Sequence, residues 1–230
     1  MSQRPVYDYT TVGHSPEVNT QQTLLRKTYQ LLAVSFLPCM VGAYLGAQFN
    51  YTALFSNYWL AIIGFFAFFY GMVFLIEKNR YSQVGIGLLM VFTLGMGVML
   101  GPLLQYSALF SNGAQLVGVA AAMTAAVFFT MSVLARRTQM NMNALGKFLT
   151  VGAVVLMVGV VANLFLQIPA LSLTIAAGFV IFSSLLIMWQ IRSVIDGGED
   201  SYISAALTIF ISIYNIFSSL LRILLSVAGE

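Results

Sequence analysis

Seven apolar runs, each about as long as a bilayer-crossing helix, limit this chain more than any motif does. They fall at about 29–49, 57–76, 84–106, 114–135, 148–167, 170–191 and 202–227. Roughly 20 helical residues cross a hydrocarbon core. None of the runs holds Asp or Glu, and only the last holds a basic residue, Arg222 near its end. Leu, Ile, Val, Phe and Met occur on every face of each run, the pattern of helices surrounded by apolar matter. Transmembrane strands would alternate in polarity over about ten residues. Charged residues make up only 7% of the chain and hydrophobic ones 60%, whereas a soluble domain carries about 25% charged residues. The fold class is therefore an all-α polytopic membrane protein with seven transmembrane helices.

The basic residues set its orientation. Arg4, Arg26 and Lys27 precede the first run, and Lys78 and Arg80 follow the second. Arg136, Arg137 and Lys147 follow the fourth, and Arg192 follows the sixth. Nine of the ten basic residues thus fall on one side, which the positive-inside rule assigns to the cytoplasm. Seven spans then put the C-terminus outside. Residues 1–28 form a polar cytoplasmic tail before a transmembrane domain over 29–230. That tail has no apolar core of a cleavable signal peptide, so the first span is expected to serve as an uncleaved insertion signal.

Motifs of soluble enzymes are absent: there is no phosphate-binding glycine loop, no HExxH and no Cys/His cluster. His14 is the only histidine and lies in the polar tail; Cys39 is the only cysteine and reads as a small packing residue. No basic stripe suits nucleic acid. The chain is expected to be a non-enzyme with no metal and no cofactor.

Polar groups inside a bilayer are costly and therefore informative. In the seventh run Ser204, Thr208, Ser212 and Asn215 recur every three or four residues and make one stripe on a helix. The stripe faces either a water-filled pathway or neighbouring helices. Gln190 ends the sixth run; Gln105, Asn163 and Gln167 lie in or at the ends of others, with structural hydrogen bonding expected. Gly97 and Gly101 have the spacing that lets helices approach closely, and Pro102 is expected to kink the third span or open its hydrogen-bond ladder. The turn Asp196-Gly197-Gly198-Glu199-Asp200 precedes the seventh span, with Ser201 as an N-cap. Residues 51–57 (YTALFSN) recur as 106–112 (YSALFSN), which reads as a coincidence of interfacial residues more than as a duplicated hairpin.

Three segments carry a resemblance that covers nearly the whole chain from about Leu24. They are residues 94–104 (LGMGVMLGPLL), 161–171 (VANLFLQIPAL) and 195–203 (IDGGEDSYI) running into 212–221 (SIYNIFSSLL). They resemble the Bax inhibitor family of seven-span membrane proteins, most closely its bacterial YccA-like branch. The resemblance implies six helices around a central seventh. It implies a calcium leak with proton sensitivity in some members, built on two aspartates. Those positions fall at Gln190 and Ser212 here, so the acid pair is replaced by neutral groups. It further implies, for the YccA-like branch, an inner-membrane protein that modulates the membrane AAA protease FtsH. The expected partners are the lipid bilayer, an FtsH-type protease, and calcium or protons under the ion-leak reading.

Overall fold

The computed structural model describes residues 16–51, 58–138 and 140–229. Among the described residues eight helices run in order: α1 (Pro16–Gln48), α2 (Tyr58–Lys78), α3 (Gln83–Met99), α4 (Gly101–Ser107), α5 (Gly113–Arg137), α6 (Met142–Leu166), α7 (Pro169–Ile195) and α8 (Tyr202–Ala228). Together they give seven helical segments long and apolar enough to cross a membrane, with α3 and α4 sharing the third. The described residues contain no strand.

Two expected boundaries move. The tail expected over 1–28 is helical from Pro16 onward. The second span runs two residues past its expected end at 76 and so carries Glu77 in its last turn. His14, Arg4 and residues 52–57 of the echoed segment lie outside the described residues.

The third span breaks where expected. Leu100 separates α3 from α4, and Pro102 follows at the start of α4. A proline N–H is unavailable to the carbonyl four residues back, here that of Val98. Tyr51 supplies the missing donor: its hydroxyl donates to the Val98 carbonyl at 2.7 Å. Gln105 then caps the end of α1, its amide donating to the carbonyls of Ala47 at 3.1 Å and Phe49 at 2.7 Å.

Close approach of α1 to α3 and α4 needs glycine on both sides. A Cβ on Gly97 would stand 2.1 Å from the Cys39 carbonyl oxygen, and one on Gly101 would stand 2.5 Å from that of Gly46. Reciprocally, a Cβ on Gly42 would lie 2.0 Å from the Leu94 carbonyl oxygen. Lipid gives no hydrophobic drive for helices to associate, so backbone-to-backbone van der Waals packing of this kind holds them together.

The last helix sits at the centre. α8 touches α1, α2, α3, α4, α5 and α7, and α6 alone among the helices does not reach it. α6 packs mainly on α7, to which the two-residue link Gln167–Ile168 joins it, and its Phe165 meets the Trp59 ring of α2 at 5.6 Å. Ile209, Ile216 and Leu221 of α8 are fully buried. Phe210 meets Phe36 of α1 and Phe92 of α3 at ring separations of 5.7 and 6.2 Å.

Candidate functional site

The formal charges among the described residues collect at one face of the bundle, where α1, α3, α6 and α8 begin and α2, α5 and α7 end. Arg222 stands apart at the other face, beside Asn163, Gln167 and Ser172. The chain enters the charged face from α7 through a glycine turn. Gly197 adopts a left-handed φ of 77°, and the N–H groups of Gly197 and Gly198 donate to the carbonyls of Val194 and Ser193. This closes the α7 C-terminus with the Schellman pattern, in which the left-handed residue is usually glycine.

That turn presents Glu199 and Asp200 to Arg80, which lies in the loop between α2 and α3. The guanidinium pairs with Glu199, with Asp200 at 3.0 Å and with Glu77 at 3.4 Å. Glu199 also accepts from the Ser201 N–H at 2.9 Å and from the Gln190 amide at 3.4 Å. Ser204 donates to Glu77 at 2.7 Å. Ser201 works in two directions: its hydroxyl oxygen accepts the Ser204 N–H as the expected N-cap, and its O–H donates to the Arg80 carbonyl. Tyr81 donates to Asp200 at 2.8 Å. The resulting clasp ties the α2–α3 loop to the junction of α7 and α8.

Its electrostatics follow from these contacts. Burial by itself lowers the Arg80 pKa, but Glu199, Tyr81, Glu77 and Asp200 outweigh it and hold the guanidinium above its ordinary value. The hydrogen bond from Tyr81, helped by Arg80, holds Asp200 below the usual carboxylate range. The same bond raises Tyr81. Among the described residues, no group of three or more His, Cys, Asp or Glu is arranged to hold a metal ion.

The residues singled out from sequence therefore separate into two places. Gln190, Glu199 and Ser204 meet in the clasp, held by the Gly197–Gly198 turn. Ser212 lies eight residues further along α8, about 12 Å at the helical rise. It is fully buried and donates to the Thr208 carbonyl at 2.8 Å. Thr208 and Asn215 are half-buried. None of the stripe residues lines a described cavity; the cavity beside α8 is walled instead by apolar groups such as Phe36, Phe128 and Phe210. Gly97 belongs to the α1–α3 seam, while Gly101, set against Gly46 of α1, and Pro102 open α4. Glu77 and Arg80 carry no local sign of this partnership in the sequence. Three acids in five residues called for a counter-charge, but nothing local said that it sits 119 residues upstream.

A seven-span bundle around a central helix, clasped by ion pairs at one end, defines a polytopic membrane protein. The family model described as "Inhibitor of apoptosis-promoting Bax1" matches residues 21–229, and the chain belongs to that family. An uncharacterised protein of Neisseria meningitidis serogroup B is 65% identical over 99% of both chains. One from Pseudomonas aeruginosa is 40% identical over 90% of both. The Escherichia coli K12 protein named "Modulator of FtsH protease YccA" is 41% identical over 67% of this chain and 70% of its own length.

Proposed function

We propose that this chain is a non-enzymatic inner-membrane protein that modulates a membrane-anchored protease of the FtsH type. The observation that carries the reading is its 41% identity, over 155 residues, to the Escherichia coli protein named as a modulator of that protease. A related Escherichia coli sequence is named an inner membrane protein. In the proposed orientation the charged face is cytoplasmic, in keeping with the positive-inside rule, and the C-terminus is outside. The N-terminal part of α1 then stands beside the clasp: Lys27 lies over the Tyr202 ring at 5.7 Å. A protease with cytoplasmic catalytic domains would meet this face first.

The neutral core supports a partner-directed role over calcium passage. Calcium is held by several oxygen ligands, with carboxylates prominent among them. Gln190 and Ser212 bring no charge, and both are engaged in hydrogen bonds. Co-reconstitution with an FtsH-type protease and a labelled membrane substrate tests the proposal. The expected result is a degradation rate that changes with the ratio of this protein to protease and saturates. An unchanged rate at a tenfold excess, with both proteins in the same vesicles, overturns it.

A further inference from the structure

The backbones of α1 and α5 stand apart, bridged where the Tyr29 ring meets Phe128 edge-on at 6.2 Å, and two cavities meet in the cleft between the two helices. The inner one, about 530 Å³, is walled almost wholly by apolar side chains of α1, α5 and α8. The outer one, about 690 Å³, shares Leu32, Phe36, Phe128 and Phe129 with it and runs to Arg136 and Arg137 at the charged face. The cleft is thus apolar in depth and basic at its mouth.

Three features of the mouth call for a ligand. Tyr29 and Ser132 both line it, and the hydroxyl oxygen of each is buried without a hydrogen-bond partner. Ser183 in α7 shares this state with Ser132, whereas Ser35, Thr124, Thr130, Ser184 and Ser212 donate to the carbonyl four residues back. Buried hydroxyls without partners are costly, more so in an apolar medium. Arg136 and Arg137 are exposed and form no ion pair among the described residues. Glu77, Asp196, Glu199 and Asp200 are already taken by Arg80 and Arg192.

We propose that this cleft binds one anionic phospholipid. The phosphate sits on Arg136 and Arg137, the glycerol ester oxygens accept from Tyr29 and Ser132, and an acyl chain follows Phe36, Phe128 and Phe129 inward. From Arg136 to Thr124 is twelve residues, about 18 Å along α5. That is close to one leaflet of a hydrocarbon core about 30 Å thick. A partner's transmembrane helix fits these observations less well. Its backbone groups are satisfied internally, so it brings no acceptor for the two hydroxyls and no counter-charge for the two arginines. The site does not depend on protease modulation.

Native mass spectrometry of the full chain in detergent tests this, with phosphatidylglycerol and phosphatidylcholine of identical acyl chains as probes. Wild type retains one phosphatidylglycerol at least tenfold more tightly than phosphatidylcholine. Arg136→Gln with Arg137→Gln weakens phosphatidylglycerol about thirtyfold, from two lost surface charges, and leaves phosphatidylcholine unchanged. Lys147→Gln, a basic residue at the same face outside the cleft, binds like wild type. Ala125→Trp, which fills the inner cleft, loses both lipids. Equal affinity for the two lipids in wild type overturns the proposal, as does a double arginine variant that matches Lys147→Gln. So does an Ala125→Trp chain that keeps its lipid but sheds a co-purifying transmembrane protein, which assigns the cleft to a helix.

Discussion

Glycine at position 97 shows how a single missing methyl group sets the architecture. Its place against the Cys39 carbonyl oxygen leaves 2.1 Å for a Cβ, so Gly97→Ala must push α1 and α3 apart. Overpacking of this kind costs about 1–3 kcal/mol, read as a lowered thermal unfolding midpoint in micelles. Gly87→Ala is the contrasting variant, because nothing lies within 4 Å of its Cβ position. There the better helix propensity of alanine leaves stability unchanged or raised. Tyr51→Phe removes the hydrogen bond to the Val98 carbonyl that Pro102 cannot make, at about 0.5–1.5 kcal/mol for one net hydrogen bond. Spacing alone revealed Gly97, Gly101 and Pro102. Their counterparts Gly42, Gly46 and Tyr51 were not legible, since each matters only through a helix distant in sequence.

The elements at the charged face are joined by ion pairs in addition to the apolar packing of Ile76, Ile191 and Ile203. Arg80→Ala removes the one cation that Glu77, Glu199 and Asp200 share. The expected result is faster amide exchange over residues 196–203, with little change in the buried middle of α8. The clasp also has a pH window. Asp200 is held below its ordinary pKa, so its contribution is present above the usual carboxylate range and fades as pH falls below about 4. Tyr81 is held above its ordinary pKa, so its contribution persists until pH rises past about 10. An NMR signal from the Tyr81 ring should stay constant between these limits and shift on either side. Sequence placed the glycine turn and the Ser201 cap correctly, because both are local. It kept Glu77 outside the second span and ended the tail at residue 28, because an apolar window stops where polar residues start while a helix does not.

At the scale of the whole molecule, the seven spans and the gathering of charge at one face were legible from apolar run length and Lys/Arg placement. What α8 does with its polar stripe was not. The stripe left a pathway and interhelical bonding open, and the structure puts Ser204 in an ion-pair clasp and Ser212 on its own helix backbone. Periodicity shows that polar groups share a face but not which acceptors they find. Under the proposed function, such a centre is a neutral strut in a protein that works by contact with a partner. Calcium efflux from proteoliposomes containing the wild-type chain tests that claim most directly, with Gln190→Asp/Ser212→Asp measured beside it. The expected wild-type efflux equals that of protein-free vesicles at any pH between about 5 and 8. Efflux above that baseline from the wild type, growing with the amount of protein, would contradict it.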